Sequence, residues 1–312
     1  MPAPQPLIMP AFVVPGFARL AQSGEKMKVV SYNIQFGRGL DGVIDLVRSC
    51  RAIRSADIIC LQEVDQGWKR SAEKDQAQEI AGLLPTYYYV YGSSFDVDAS
   101  SHSAHGAVIN RRRRHGNMIL SRWPILSSRC INLPKQYYQD RFNMQMTCIE
   151  AVIDTGAIVT RVYSYHAGYL DSTERLAQVT DFTGVFARSP LEQGAWSGKP
   201  DIDGDDWSNQ RSAPQMPLSA IVCGDFNAAP DTEEYRLLLE ATELEDCWGL
   251  VDPLNRETST LRKGSSNDIQ VSGKIDHILI TPDLCDRIER VAIDEDADGS
   301  DHKPIEAIFE LA

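Results

Sequence analysis

Eight polar residues stand where apolar stretches end. Asn33 follows VVSY, Glu63 closes IICLQ, His166 follows TRVYSY, and Asp225 and Asn227 follow AIVCG. Asp276 lies in KIDHILI, and Asp301 and His302 lie in GSDHKPI. Ends of buried strands are where α/β scaffolds present chemistry. These residue types supply what hydrolysis of a phosphoester needs. A hard divalent cation takes oxygen ligands, which Asn33, Glu63 and Asp301 offer. Asp225 and Asn227 can orient or deprotonate an attacking water. His166 or His302 can donate to the charge that builds on the phosphoryl oxygens. Asp276 can fix the tautomer of a histidine. Many enzymes own such residues, so the inventory alone does not choose a reaction.

The elements that must position them follow from local patterning. Residues 27–34 (MKVVSYNI) are apolar and β-branched and read as a strand, with Gly37 and Gly39 marking a loop. Asp41 has the chemistry of a helix N-cap, and Val43, Leu46, Val47, Cys50 and Ile53 fall on one helical face. A short buried strand over 57–61 leads to Gln62-Glu63. A polar helix is expected over about 73–84 and a strand over 87–91. Residues 118–120 form a strand that Pro124 stops. Residues 145–153 and 157–165 read as a hairpin around Asp154-Thr155-Gly156. A helix follows over 172–187, then a strand over 219–223, a helix capped by Asp231, and late strands over 274–280 and 305–311. Strands and helices alternate early and hairpins fill the middle, which departs from the regular repeat of a βα barrel.

The order and wording of the motifs carry more. SYNIQFG, LQEVD, HGNMILSRWPI, YSYHAGYLDSTERLAQ, VCGDFNAAPD, KIDHILI and GSDHKPI resemble, in sequence order, the motifs of the endonuclease/exonuclease/phosphatase superfamily. The resemblance spans about residues 27–312. It implies an α/β (α+β) four-layer sandwich, with two mixed β-sheets packed face to face and flanked by helices. It implies Mg²⁺ or Mn²⁺ as cofactor. It also implies metal binding by Asn33, Glu63 and Asp301, and orientation of water and phosphate by Asp225 and Asn227. His302 would contact the scissile phosphate, with Asp276 orienting it. His166 takes the place of the histidine in the family's N-T-H-L motif. Here that stretch reads Ser164-Tyr165-His166-Ala167, so the histidine stands with different flanks.

Other polar residues have plainer readings. His277 follows Asp276 within an apolar strand and so points to the opposite face, in a structural role. His102 and His105 lie in a Ser-rich loop and read as solvated. The run Arg111, Arg112, Arg113, Arg114 has two readings, a solvated loop or a clamp for an anionic substrate together with Asn117. Asp294, Asp296, Asp298 and Gly299 match the first half of a calcium loop. Ile305 stands where the bidentate Glu belongs, so that reading is rejected.

Composition bounds the rest. Hydrophobic residues make up 43% and charged residues 24% of the 312, as in a globular protein. No apolar run reaches the roughly 20 residues of a spanning helix. The net charge of −13 argues against a general nucleic-acid binder, which needs cations against phosphate. Seven scattered cysteines without a C-x-x-C pair suit a reducing, cytoplasmic setting. Residues 1–26 lack a basic n-region and are broken by prolines, so they read as an N-terminal arm, with Met27 an alternative start. Residues 27–312 read as one domain, with an acidic Gly/Pro-rich insertion at about 189–217. The expected function is metal-dependent hydrolysis of a phosphoester in a small or lipid-derived substrate. A DNA or RNA nuclease and a non-catalytic binding module are the competing readings.

Overall fold

Apolar runs pair into two sheets whose facing sides exclude water, and helices cover the outer sides. The computed structural model describes residues 25–199, 207, 213, 216–252, 258–262 and 273–311. The expected arm lies almost entirely outside these residues, as does about half of the 189–217 stretch. In chain order the elements are β1 (Lys26–Asn33), α1 (Leu46–Ile53), β2 (Ile58–Gln66), α2 (Gln76–Leu83), β3 (Tyr88–Asp98), β4 (Ser101–His102), β5 (Val108–Ile109), β6 (Arg112–Ser121), β7 (Ile125–Asn132), β8 (Thr147–Asp154) and β9 (Val159–His166). There follow α3 (Ser172–Glu192), β10 (Ala220–Asp225), α4 (Glu233–Thr242), β11 (Glu245–Asp246), α5 (Cys247–Val251), β12 (Asp276–Ile280), β13 (Ile288–Ile293) and β14 (Ile305–Glu310).

One six-stranded sheet has the order β13-β14-β1-β2-β6-β3 and the other β11-β12-β10-β9-β8-β7. Each is mixed, with a parallel pair at its centre, β1–β2 in the first and β9–β10 in the second. Met27, Val29, Ile58, Cys60 and Ile119 of the first sheet pack against Ile149, Val162, Ile221, Cys223 and Ile278 of the second. The outer face of the first sheet buries Tyr32, Ile59, Leu61 and Met118 under α1 and α2. The outer face of the second buries Tyr163, Tyr165 and Val222 under α3 and α4. The result is the four-layer α/β sandwich expected from the motifs.

Several boundaries differ from the local reading. Asp41 is not the cap of α1. Its side chain instead accepts from Val43 N in a turn, and Asp45 accepts from Val47 N and Arg48 N at the true N-terminus. Val43 and Val47 are consequently exposed, and α1 buries Leu46, Cys50 and Ile53. Thr232, not Asp231, caps α4. Arg112, Arg113 and Arg114 of the arginine run stand in β6 rather than in a loop, with Arg111 just before it. This half of β6 pairs with β3 (Asp98↔Arg112, Asp96↔Arg114) in a hairpin that runs out to the exposed β4–β5 ribbon. The backbone there is satisfied by strand pairing without needing an apolar face.

Candidate active site

The eight strand-end residues converge because of register. Asp225 at the end of β10 lies beside His166 on one neighbour, β9, and beside Asp276 on the other, β12. Alternation along β12 turns Asp276 to the site and sends His277 to the other face. There His277 Nε2 meets the Ala228 carbonyl at 2.9 Å, between the rings of Phe226 and Tyr235. A glycine precedes Asp225 for steric reasons. A Cβ at Gly224 would lie 1.9 Å from the Tyr165 carbonyl oxygen.

The facing sheet brings Asn33 and Glu63. Glu63 sits at a bulge where Gln62 and Glu63 together oppose β6 between Leu61↔Met118 and Val64↔Gly116, and its φ is +60°. An extra residue in one strand re-aims side chains, and a non-glycine residue at positive φ stores strain. Glu63 accepts from Asn33 Nδ2 at 3.2 Å, while Gln62 donates to Ser164 Oγ at 3.0 Å across the sheets. Asn33 Nδ2 also reaches Asp225 Oδ2 at 3.0 Å, which joins the two sheets at the site.

Around Asp225 Oδ2 the two histidine rings close in, with His302 Nε2 at 3.6 Å and His166 Nε2 at 3.7 Å. His302 Nδ1 is held by Asp276 Oδ2 at 2.8 Å. Asn227 has φ +47°, a conformation asparagine tolerates, and its amide donates to the Ala167 carbonyl at 3.0 Å. Its backbone N–H donates to Asp225 Oδ1 at 2.9 Å. Asp301 accepts from Gln35 Nε2 at 2.8 Å.

Electrostatics separate the two histidines. Burial opposes charge on both rings. At His302 the Asp276 and Asp225 carboxylates outweigh burial and push its pKa up to about 10. At His166 burial prevails over Asp225 and Glu63 and holds the pKa below its usual value. One imidazolium and one neutral imidazole therefore flank the same carboxylate at neutral pH, a separation that suits division of labour. Burial, together with the Asp225 charge, raises the carboxyl of Asp276, though His302 partly offsets it. Burial, reinforced by the Glu63 charge, raises that of Asp301.

Among the described residues neither Glu63 nor Asp301 has an ion-pair partner, and these two carboxylates are oxygen donors that fit a hard divalent cation. Asn33 presents nitrogen to Glu63 and Asp225, because its Oδ1 accepts from Gln35 N at 3.0 Å. It acts here as a donor between carboxylates. Ligand atoms of Asp225, Asp276 and His302 lie within 4.8 Å of one another. In that trio one histidine nitrogen is already engaged by Asp276, so it reads as a hydrogen-bonded chain.

Among the described residues, Arg112, Arg113, Arg114 and Asn117 bond groups other than these eight. Arg112 and Arg114 both bond Asp96, at 2.7 and 3.0 Å, and Arg113 turns to the other side, with Nε 3.3 Å from the Gly67 carbonyl. Asn117 is buried and ties the sheets through the carbonyls of Thr147 and Ser164. Three supporting residues were not singled out by sequence reasoning. Gln35 holds Asp301; Thr260 Oγ1 receives Asp276 N at 3.1 Å; Ser300 Oγ joins Asn33 O at 2.7 Å and receives His302 N at 3.2 Å. Gln35 and Ser300 lie inside or beside quoted motifs. Thr260 carried no signal.

The Endonuclease/Exonuclease/phosphatase family model matches residues 30–302, and the chain belongs to that family. Members are in general phosphoester hydrolases that depend on a divalent metal. No curated protein matches the sequence significantly. Similar solved structures include an endonuclease/exonuclease/phosphatase from Beutenbergia cavernae, 18% identical over 92% of this chain and 72% of that one, with a TM-score of 0.63. A mannosyl-6-phosphatase from Bacteroides thetaiotaomicron is 17% identical over 90% and 98%, with a TM-score of 0.59. An AP endonuclease from Archaeoglobus fulgidus is 18% identical over 91% and 99%, with a TM-score of 0.52. At these identities the likeness is one of fold. Among the described residues no helix is long and apolar enough to cross a membrane.

Proposed function

We propose that this protein hydrolyses a phosphoester bond in a small or lipid-derived substrate by attack of water on phosphorus. The observation that carries the reading is the convergence of His302, His166 and Asn33 on one oxygen of Asp225. Asp225 holds the water and takes its proton, with Asn227 bracing the Asp225 carboxylate through its backbone. His302, fixed through Nδ1 by Asp276, keeps Nε2–H as a charged donor to the phosphoryl oxygens. His166 adds a neutral ring on the opposite flank. Glu63 and Asp301, with Asn33 once its amide turns oxygen inward, would hold Mg²⁺ or Mn²⁺. The bound cation would polarise the phosphate and offset its developing charge.

The substrate class rests on charge. A net charge of −13 opposes long polyanions, and Asp96 neutralises one side of the arginine run. The test is a hydrolysis panel of bis-p-nitrophenyl phosphate, sugar and inositol phosphates, sphingomyelin, and abasic, single- and double-stranded DNA. Turnover of small or lipid esters well above that of DNA supports the reading. Preference for DNA, with affinity falling steeply in salt, would replace it by a nuclease.

A further inference from the structure

Beside Glu63 lies a cationic cluster that the proposed chemistry does not use. Asp65, two residues on from Glu63, is fully buried, and Arg70 grips it with Nε and Nη2 at 2.8 and 2.9 Å. His115 Nδ1 takes the same carboxylate at 2.8 Å and Ser71 Oγ at 3.2 Å. These bonds fix the guanidinium plane. Its carbon lies 4.4 Å from the centre of the Phe36 ring and 5.1 Å from that of Trp68. The Arg70 side chain is 43% exposed, and among the described residues its Nη1 has no partner. Arg113 approaches the same Trp68 ring at 5.8 Å, and both of its terminal nitrogens are likewise without partners there.

A cluster that served only to hold the fold has little reason to take this form. Burying a carboxylate is costly, and an apolar replacement often does as well. What the buried Asp65 achieves is a rigid arginine with a free donor edge at the surface. Planar, preorganised guanidinium groups beside an aromatic ring match oxyanions. The placement ties the cluster to the site. Phe36 follows Gln35, which holds Asp301, and Arg70 lies close enough to Glu63 to feel its charge. His115 is buried, its ring packs against that of Phe95 with centroids 5.6 Å apart, and its Nε2 has no partner among the described residues.

We infer that Arg70 and Arg113 form a second oxyanion subsite flanking Trp68, so that the preferred substrate carries a phosphate or carboxylate group besides the scissile phosphate. The inference rests on the phosphoesterase reading for what occupies the first site. The subsite itself is tested by binding, which needs no turnover.

The probes are α,ω-alkanediphosphonates of graded length, matched phosphonocarboxylates and the simple alkylphosphonate, titrated calorimetrically at fixed excess Mg²⁺. One two-headed probe is expected to bind the wild type roughly tenfold more tightly than the alkylphosphonate. A gain with either kind of probe supports the subsite, and the stronger kind names the second group. The gain should disappear in Arg70→Gln and shrink in Arg113→Gln. It should persist in Arg122→Gln, which removes a comparable arginine paired with Asp57 and set over Tyr87. Among the described residues Arg113 carries no ion pair, so its variant keeps the test alive if Arg70→Gln does not fold. No gain with any two-headed probe, or a gain that survives both Arg70→Gln and Arg113→Gln, overturns the subsite. Binding as expected without hydrolysis of any ester would leave the subsite standing and sink the phosphoesterase reading.

Discussion

Replacing Asp276 by Asn isolates what the carboxylate does for His302. The two are 2.8 Å apart, and Asp276 is fully buried. Asn has the same shape and can still accept from Nδ1–H, so the ring keeps a partner. What disappears is the charge. A hydrogen bond to a charged group contributes about 1.5–3 kcal/mol against roughly 1 for a neutral one. The carboxylate sustains a cationic His302, and the reaction needs that cation only as charge builds on the phosphate. Losing that difference, about 0.5–2 kcal/mol, from the transition state lowers kcat roughly 2- to 30-fold, with KM little changed. The assay is steady-state hydrolysis of bis-p-nitrophenyl phosphate at saturating Mg²⁺, with far-UV circular dichroism to show that the variant is folded. A folded Asp276→Asn protein with kcat within a factor of about two of wild type would refute the orienting role.

Other expectations follow from the same geometry. Glu63→Gln should raise the Mg²⁺ concentration for half-maximal activity by roughly tenfold or more, because one charged oxygen ligand is lost; a metal titration reads it. Arg129→Ala should destabilise the fold by about 3 kcal/mol, since Glu150 is left buried without its bidentate partner. Adding Glu150→Gln should recover part of that loss in urea unfolding. Burial opposes ionisation of Asp246, but His277 and Lys274, whose Nζ is 2.5 Å away, hold its carboxyl well below the usual range. Its folded pKa is thus depressed, so its stabilisation is present above the unfolded value of about 3.9 and is lost as pH falls further. Asp246→Asn should therefore be less stable than wild type at neutral pH, with the gap closing below about pH 4 in urea melts.

The strand ends of the candidate site were legible because the runs before them are almost wholly apolar. VVSY, IICL and AIVC are buried on both faces in the centres of the sheets, and their polar termini stand out. The four-layer architecture came with the ordered motifs, not from periodicity. Pairing was not legible. That Asp225 lies between His166 and Asp276 is a property of register between β9, β10 and β12, which no local pattern encodes. The bulge at Glu63 was equally hidden, since nothing in LQEVD announces a positive φ. The arginine half of β6 escaped a strand reading because an exposed hairpin needs no hydrophobic alternation. Asp41 and Asp45 offered the same cap chemistry four residues apart. Tertiary burial of Leu46 and Cys50 decided between them.

The central claim is that these residues form a metal-dependent hydrolytic centre. Hydrolysis of bis-p-nitrophenyl phosphate by wild type and His302→Ala, each with Mg²⁺, Mn²⁺ or EDTA, tests it most directly. The account predicts turnover by the wild type that EDTA abolishes and added metal restores, and a loss of about 10²-fold or more in the folded variant. Turnover that survives EDTA, or a folded His302→Ala protein as active as wild type, would contradict it.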